Sequence, residues 1–566
     1  MIATIIAILY ISFICWGYGS MFLNLLAKLS RTELVLPASS VITCFTGLAL
    51  IGVIFTAFSI FFPVGGILVQ LLLLAPALIW LIRSRSAVAI AWRNGWKNFA
   101  GYPVPVLAVL FAGVLLILVM HSRVVNHPDT LNYHAQHIEW VKNYKAVPGL
   151  VHLNVNLGTQ SSWFILSALL SFSFTGTTAL TFVNAAILCW FIIFIAKRLD
   201  ETVKGTAPVL HGLLWLLLLI FAFWSYTQIR LTATSASPDF IAALYTWLIV
   251  YLYFKSDKAG NKVYYGLLVF LSLFAVTIKL SALPCILLSF YAWYRYGKVH
   301  TGAAMLYPFT AATIVWVPYL LNNVINTGYL FFPSPIPDFF SVDWKLSHDT
   351  IVLFQEYVKT YAKTHVDYDP QQINKVAEMG MSEWIPIWWQ IRSVADKLIL
   401  LSVPVLILLS LVSIRKILNT PMRRLRGAFV LVAAGVLFWF IQAPDPRFGF
   451  GFLIPFSGIL LCLLLNNTLV LQRMKPKVFG FLLMLFSVSI FAYTGYRLVY
   501  FFTPSNLVQP AGVATIPYST KDCNGVPVHM PVGSIECGKT PLPCSSLQCG
   551  DFVPRGSKVE DGFTGK

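Results

Sequence analysis

Charged side chains are scarce in this chain of 566 residues: Asp, Glu, Lys and Arg make up 11% of it, whereas 58% is hydrophobic. A water-soluble fold cannot bury so much apolar surface, because its surface-to-volume ratio limits the size of its interior. That class is therefore excluded. In lipid, only helices and closed barrels satisfy all backbone hydrogen bonds, and long apolar runs are typical of spanning helices rather than of barrel strands. The composition predicts an all-α polytopic membrane protein.

Acidic residues are the rarer sign: 22 Asp and Glu stand against 40 Lys and Arg, which gives a net charge of +18. The basic residues concentrate in short connections between apolar runs, near residues 28–31, 83–97, 197–204, 255–262, 295–298, 415–426 and 473–477. Such connections face the cytoplasm and meet anionic headgroups. Membrane topology thus explains the charge, and we expect membrane lipids rather than nucleic acid as partners.

The hydropathy pattern predicts about fourteen spanning helices. They cover residues 2–25, 35–60, 63–82, 104–121, 178–197, 208–226, 237–254, 263–280, 283–296, 303–323, 398–414, 426–443, 448–466 and 478–501. The segment 160–175 is apolar but short, and we interpret it as a half-embedded helix of an outer loop. Counting it as a span would place the later basic clusters outside the cell.

This topology places both termini outside and divides the chain into three regions. Residues 1–103 hold the first three spans and a cytoplasmic turn. Residues 104–501 form the main membrane region with a first outer loop (122–177) and a second outer loop (324–397). Residues 502–566 form an outer tail. The first span follows no basic segment and no small-residue cleavage site follows it, so we expect it to persist as a helix.

Cysteine is uncommon, and none of the nine is spaced as CxxC, so the sequence does not indicate a zinc site. Five cysteines fall within predicted spans, where they act as small core residues. The other four, Cys523, Cys537, Cys544 and Cys549, crowd into the tail. An even number of close cysteines in a polar segment predicts two disulfides, with the pairing left open. Disulfides require an oxidising compartment, which agrees with a tail outside the cytoplasm.

The densest polar segment, His127–Trp140, begins where the fourth predicted span leaves the bilayer. Pro128 predicts a turn, and Asp129 or Thr130 is suited to cap a helix. A carboxylate at this boundary is a candidate general base, because limited hydration raises its pKa toward the working pH. The alternative is that Asp129 only caps the helix.

Three ring side chains follow on the same predicted helix. Tyr133 and His137 are spaced i,i+4 and His134 and His137 are spaced i,i+3, so all three share a face. We expect them to line a substrate pocket beside Asp129. The alternative is that the histidines simply lie at the membrane interface.

Polar breaks between later spans place more charge on the same outer side. Arg230 and Asp239 belong to one break, Lys279 to a second and Arg447 to a third. Their simpler interpretations are a helix cap for Asp239, snorkelling for Lys279 and a local Asp445–Arg447 pair. Taken together, cations and carboxylates at helix ends suit a lipid-linked phosphate whose other end reacts with an activated hydroxyl.

These residues resemble the GT-C superfamily of membrane glycosyltransferases, which includes protein O-mannosyltransferases and the aminoarabinose transferase of lipid A. In the stretch Asp129–Trp163 an acid follows a span and precedes Tyr-His and an amphipathic helix, and it is most similar to an uncharacterised bacterial branch. The blocks 316–323 and 327–333 are similar to the family's "P…RN…tGNPlyP" pattern. The resemblance covers roughly residues 104–455.

The sequence departs from the family pattern at two places. Asp129 is followed by Thr130, where the family has an Asp-Glu or Asp-Asp pair. Asn322 precedes Asn323, where the family has Arg before Asn. Asp129 is therefore the only base candidate of its motif, and Asn323 is kept as a pocket residue.

The resemblance implies transfer of a sugar from a polyprenyl-phosphate donor to a glycan, lipid or protein acceptor outside a bacterial cytoplasmic membrane. Asp129 would accept the proton of the acceptor hydroxyl, and Lys279, Arg447 and Arg230 would hold the donor phosphate. Tyr133, His134, His137, Asp239 and Asn323 would shape the substrate pocket. The aromatic residues of the second outer loop offer stacking surface for sugars: Trp344, Tyr357, Tyr361, Trp384, Trp388 and Trp389.

Two questions stay open at this point. Some members of the superfamily need a divalent cation such as Mg²⁺ or Mn²⁺, and Asp129, His134, His137 and Asp239 include suitable ligands. A transporter or flippase of lipid-linked saccharides is the alternative to an enzyme, and a polymerase or ligase is the enzymatic alternative. The chain has no internal repeat of the kind that transporters show.

Overall fold

The computed structural model describes residues 1–30, 40–125, 127–224, 229–259, 262–296, 306–412, 423–465, 475–501 and 503–565. These segments are mostly helical. The helices are α1 (Ile2–Leu29), α2 (Ser40–Phe58), α3 (Ile67–Arg83), α4 (Arg85–Ala100), α5 (Val104–His121), α6 (Ala135–Asn143), α7 (Ser162–Leu169), α8 (Phe182–Val203), α9 (Val209–Trp224), α10 (Ile229–Thr232), α11 (Asp239–Ala259), α12 (Lys262–Ile278), α13 (Pro284–Tyr296), α14 (Tyr307–Thr327), α15 (His348–Thr364), α16 (Pro370–Glu378), α17 (Met381–Gln390), α18 (Val394–Val412), α19 (Arg423–Gln442), α20 (Pro446–Leu465) and α21 (Pro476–Phe501). The strands are β1 (Val124–Val125), β2 (Gly512–Val513), β3 (Tyr518–Cys523), β4 (Val526–Pro531), β5 (Phe552–Pro554) and β6 (Phe563–Gly565).

Eight helices of the described segments are long and apolar enough to cross a membrane. They are α1, α2, α5, α8, α14, α18, α20 and α21, and α3 with α4 would add a ninth if this pair, bent by 90°, is one span. The all-α membrane class is thereby confirmed. Each of the predicted spans overlaps a helix, but α9, α12, α13 and α19 contain only shorter apolar stretches of 10–17 residues. The count of fourteen stays a prediction.

The apolar segment 160–175 contains one short α-helix, α7, whose eight residues are all buried, and a 3-10 helical turn at Ser173–Thr175. At 1.5 Å per residue such a helix extends only about 12 Å, far less than the hydrocarbon thickness. It packs inside the protein beneath α6, in agreement with its interpretation as part of the first outer loop.

Helices α1 and α2 approach each other closely because two glycines face one another. A Cβ at Gly19 would overlap the carbonyl oxygen of Thr43, and a Cβ at Gly47 would overlap that of Cys15. In lipid, where apolar side chains gain little by leaving the solvent, small residues of this kind allow helix backbones to pack together. The first two helices therefore form a tight pair.

The tail folds as a small β-structure against the first outer loop. Strand β2 pairs with β1 in parallel, with Gly512 opposite Val124. The Gln136 amide of α6 donates to the carbonyl oxygens of Gly538 and Thr540, at 3.1 and 2.9 Å. The Gly538 amide donates to the Leu131 carbonyl at 2.7 Å. The tail is thus fastened to the segment that carries Asp129.

Two further contacts bring the other predicted outer segments together. Arg555 of the tail binds both carboxylate oxygens of Asp343 in the second outer loop, at 2.7 and 3.1 Å. The amino group of Met1 donates to the Asn506 carbonyl at 2.7 Å. Both outer loops, the tail and the N-terminus therefore lie at one end of the helices.

The four tail cysteines lie in two pairs at disulfide distance. Cys523 and Cys549 have their Cα atoms 5.3 Å apart, and Cys537 and Cys544 have theirs 6.1 Å apart. Both separations are ordinary for a disulfide. The second pair encloses Gly538 and Thr540, the residues that contact α6.

Residues from the connections that are predicted to face the cytoplasm lie together at the opposite end of the helices. The ammonium of Lys204, after α8, lies 6.0 Å from the centre of the Tyr102 ring, before α5. A Cβ placed at Gly205 would lie 3.8 Å from Cγ of Pro476, at the start of α21. Arg198 pairs here with Glu201 at 2.9 Å. The two ends of the molecule thus carry different sets of connections.

The two ends are distinguishable by chemical labelling of cysteines placed at exposed positions. In sealed vesicles, Ser505→Cys in the tail segment and Asp349→Cys in α15 should react with a membrane-impermeant maleimide from the same side. Asn94→Cys in α4 should react only from the other side. Wild type sets the background, because its free cysteines are buried or half-buried. Labelling of the first two variants from opposite sides would refute this arrangement.

Candidate functional site

Asp129 begins the π-helical turn Thr130–His134, between α5 and α6. Its carboxylate makes no capping hydrogen bond to the helix; instead Oδ2 accepts a hydrogen bond from the Arg447 guanidinium at 3.1 Å. The Asp129 amide donates to Nδ1 of His127 at 3.1 Å. The alternative that Asp129 serves only as a helix cap is therefore wrong.

The π-helical turn is held in place by buried hydroxyls. The Thr130 hydroxyl lies 3.1 Å from Nδ1 of His134 and 2.8 Å from the Ser235 hydroxyl. The Ser235 carbonyl accepts a hydrogen bond from Asn184 of α8 at 3.0 Å. These bonds fix the Asp129 segment beside the polar break that precedes Asp239.

Asp239 is the first residue of α11, where the partial positive charge of a helix N-terminus favours a carboxylate. Its Oδ1 forms an ion pair with the ammonium of Lys279, which lies in the break between α12 and α13. The same ammonium lies 3.8 Å from the centre of the Phe448 ring. Lys279 therefore meets a carboxylate of the protein itself and an aromatic face.

Arg447, the second residue of α20, lies between three carboxylates. Its NH1 bonds Asp129 at 3.1 Å, and its Nε lies 3.7 Å from Asp239 Oδ2 and 3.8 Å from Asp445 Oδ1. Its guanidinium lies 5.8 Å from the centre of the Tyr361 ring. A planar cation with several donors is suited to such shared contacts. We name Asp129, Asp239, Lys279, Asp445 and Arg447 the charged cluster.

The second outer loop adds two residues beside Asp445. Arg392, before α18, donates from NH1 to Asp445 Oδ2 at 2.9 Å. His365, at the end of α15, has its Nε2 atom 3.2 Å from the same oxygen. The predicted local pair between Asp445 and Arg447 is present, but it is one contact of a larger set.

The formal charges of this region cancel. Asp129, Asp239 and Asp445 face Lys279, Arg392 and Arg447. An anionic ligand therefore cannot simply neutralise unpaired cations here. It has to displace carboxylates from the cations that they pair with.

The pKa of Asp129 lies in the direction opposite to the expectation from sequence. Burial acts to raise the pKa and is the largest single effect, but the electrostatic contributions of Arg447, His127, His134 and Lys279, of which that of Arg447 is the largest, together outweigh it and lower the pKa to about 2. The expectation of a raised pKa is wrong for this arrangement, because it considered hydration without the cation. Asp129 is ionised at neutral pH and is a weak base as long as Arg447 stays bound.

The predicted ring side chains separate into two groups. His134 and Tyr133 lie beside the charged cluster, with their ring centres 4.4 Å apart, and burial lowers the pKa of His134 and raises that of Tyr133. The rings of His134 and His137 both pack on Phe164, at 5.1 and 4.9 Å, but His137 also lines a separate small cavity with Gln160 and Trp140. Burial lowers the pKa of His137 to about 4, so both histidines are neutral at pH 7.

The proposed metal ligands are not assembled into one site. In the segments that the structure describes, no group of three or more His, Cys, Asp or Glu is placed to hold a metal ion. Asp129 and Asp239 face Arg447 and Lys279, His134 bonds Thr130, and His137 lines the other cavity.

Two further predicted site residues lie outside the charged cluster. The Asn323 amide of α14 donates to the Leu330 carbonyl at 2.9 Å, which stabilises the turn after that helix. The side chain of Arg230 lies outside the residues that the structure describes. Of the residues predicted to hold a donor phosphate, Lys279 and Arg447 are brought together.

Arg392 and His365 are two residues beside the cluster that were not predicted from the sequence. Arg392 is the only arginine of the second outer loop, and it is buried although loops of membrane proteins are usually solvated. That single arginine was a usable signal. The sequence gives no comparable signal for His365, because the position of this residue depends on how α15 ends.

The ion pairs of Arg447 predict a dependence of stability on pH. Arg447→Gln should lower the midpoint of thermal unfolding in detergent at pH 7, because three carboxylates lose their shared cation. The loss should shrink between about pH 4 and about pH 2. Asp129 has its pKa at about 2 in the folded protein and at about 3.9 when unfolded, so its ion pair stabilises the protein only above that window.

Arg198→Gln is the matched control. Arg198 lies near the C-terminal end of α8, at the end of the molecule away from the charged cluster. The substitution removes one cation from Glu201, whose side chain is 38% exposed, so a smaller loss is expected. A loss in Arg447→Gln that stays constant from pH 7 to pH 2 would contradict the ion pair with Asp129.

The charged cluster lies within the part of the chain that a family comparison covers. No curated protein and no solved structure matches this chain. The family described as a domain of unknown function, DUF8201, matches residues 1–454, which include every residue of the cluster as well as Arg392. The match extends over well more than half of the sequence, and the chain belongs to the DUF8201 family.

Proposed function

We propose that this protein is a membrane glycosyltransferase that moves a sugar from a polyprenyl-phosphate donor to an acceptor hydroxyl. The observation that carries the proposal is the convergence of Asp129, Asp239, Lys279 and Arg447, from four separate chain segments, at one end of the helices. The resemblance of residues 104–455 to GT-C enzymes supports it. Asp129 is the general base, and Lys279 and Arg447 bind the phosphate.

The surroundings of the cluster suit a lipid-linked anion. The Asp129 side chain is 30% exposed and that of Lys279 is 25% exposed, so both are within reach of a ligand. A small cavity beside Asp239 and Arg447 is otherwise lined largely by apolar side chains, among them Phe240 and Phe450. A phosphate at the charged edge and an isoprenoid along the apolar side would match this lining.

The charge balance explains how donor binding would prepare the base. A donor phosphate at Arg447 and Lys279 competes with Asp129 and Asp239 for the same cations. Asp129 then loses the positive charge that lowers its pKa, and burial raises the pKa toward neutrality. The carboxylate therefore becomes a useful base only when the donor is in place.

In the chemical step, the acceptor oxygen attacks the anomeric carbon of the sugar while its proton passes to Asp129. The bond between the anomeric carbon and the phosphate oxygen breaks, and the bonding electron pair leaves with the lipid phosphate. Lys279 and Arg447 stabilise the negative charge that develops on that oxygen. Tyr133, which is half-buried, and His134, which is buried, are both neutral beside Asp129 and provide walls of the pocket.

The proposal includes the predicted topology of fourteen membrane spans. Between the contacting segments at Met1, Asp129, Asp239, Lys279 and the tail, the chain passes through an even number of the predicted spans each time, as segments on one side of a membrane require. The basic connections then face the cytoplasm and the cluster faces outward. We place the enzyme in a bacterial cytoplasmic membrane, with a glycan, lipid or protein of the cell envelope as acceptor.

Asp129→Asn tests the proposal directly. Asn keeps the shape of the side chain but cannot accept the proton, so transfer of labelled sugar from extracted polyprenyl-phosphate donors should fall by about 100-fold or more. Asp369→Asn is the matched control: Asp369 caps α16 through a hydrogen bond to the Gln371 amide, and Asn retains that ability. Transfer by the control should equal that of wild type.

The outcome separates the alternatives. Full activity of Asp129→Asn would show that Asp129 is not the base. If wild type binds the donor lipid but transfers no sugar, the protein is instead a transporter or flippase of lipid-linked saccharides. Lys279→Gln should weaken donor binding under either function.

A further inference from the structure

The short turn that precedes Arg447 is held by three hydrogen bonds. The indole of Trp388 donates to the Pro444 carbonyl at 2.7 Å, and that of Trp439 donates to the Asp445 carbonyl at 2.6 Å. The carboxylate of Asp445 accepts the Arg447 amide at 3.0 Å. Backbone movement is therefore a poor route for moving Arg447, and the position of its guanidinium depends on the charges around it.

Asp445 competes with Asp129 and Asp239 for that guanidinium. Its Oδ1 lies 3.8 Å from Arg447 Nε, nearly the distance of 3.7 Å that separates Nε from Asp239. Among the described residues Nε has no hydrogen-bond partner, although it is buried. A small gain in the negative charge of Asp445 would thus draw Arg447 into a close local pair and away from Asp129.

Arg392 opposes this competition. Its side chain is only 3% exposed, its NH1 bonds Asp445 Oδ2 at 2.9 Å, and its NH2 donates to the Ala362 carbonyl at 2.6 Å. Its guanidinium also lies 5.4 Å from the centre of the Trp388 ring. A buried cation with these contacts neutralises Asp445 from the side away from Arg447.

We infer that Arg392 is a positioning residue, which compensates Asp445 and so leaves the Arg447 guanidinium to Asp129 and Asp239. The second outer loop thereby sets the charge arrangement of a site to which it supplies no acid or cation of the cluster. The inference rests on the proposed function only for its effect on sugar transfer. Its structural part concerns which carboxylate Arg447 binds.

Other charged and titratable groups face the two carboxylates from the neighbouring elements. Asp445 interacts through its charge or its hydrogen bonds with Arg392, Arg447 and His365, and through its charge with Asp396 of α18. Asp129 interacts electrostatically with Arg447, His127, His134 and Lys279, and with Tyr361 of α15. All of these groups stay unchanged in the variants proposed below, apart from Arg392 and Asp445.

A double-mutant cycle that removes the charges of Arg392 and Asp445 tests the inference without any donor. The variants are Arg392→Gln, Asp445→Asn and the double variant, and the measurement is an infrared titration of purified protein. The carboxyl band of Asp129 is identified as the one that Asp129→Asn lacks. Arg392→Gln should move its midpoint upward by about one pH unit or more, a tenfold change in proton affinity, because Arg447 turns to Asp445. The double variant should restore the wild-type midpoint.

A merely structural role makes a different prediction. If Arg392→Gln lowers thermal stability but leaves the Asp129 midpoint unchanged, the inference is overturned. Arg392→Lys keeps the charge and should keep the midpoint. If Arg392→Gln is not recovered in folded form, Asp445→Asn provides the test: Asp129 should then titrate at or below the wild-type midpoint, and a rise would overturn the inference.

The transfer assay adds a separate comparison. If the proposed function holds, Arg392→Gln should lower the turnover number and shift the acid limb of the pH profile, and the double variant should recover both. If wild type transfers no sugar, the proposed function fails, but the infrared titration still decides the role of Arg392. The two failures are thus distinguishable.

Discussion

The ion pair between Arg447 and Asp129 is the constraint on which the arrangement at this end of the helices depends. A buried cation costs free energy unless carboxylates reach it, and the partner is 318 residues away in sequence. The C-terminal ends of α5 and α12 and the N-terminal ends of α11 and α20 must therefore lie at the same level. The buried hydroxyls of Thr130 and Ser235 hold two of these ends together, and Phe448 provides an apolar floor beneath the cations.

Apolar run length is a local property, so the sequence alone was enough to predict the membrane class. The position of charge at helix ends is also local, and it drew attention to Asp129, Asp239, Lys279 and Arg447, which the structure brings together. The partners of those charges were not predictable in the same way. Local reasoning assigned cations to a phosphate and a raised pKa to Asp129, whereas packing pairs the charges with each other.

The remaining differences have the same origin. Tyr133, His134 and His137 share a helix face in an ideal α-helix, and all three rings contact Phe164, but after the π-helical turn His137 lines another cavity. The pairing of the tail cysteines and the role of Arg392 also depend on contacts between distant segments. Side-chain spacing indicates which residues share an element; it does not indicate which elements meet.

The contact between α6 and the tail has a consequence for biogenesis. Gln136 and Leu131 bond to Gly538 and Thr540, which the ribosome makes after every helix that bears a cluster residue. During synthesis the segment with Asp129 therefore lacks these bonds until the tail has been made and has folded against it. Nascent chains in which every charge of the cluster is already present still lack the finished arrangement.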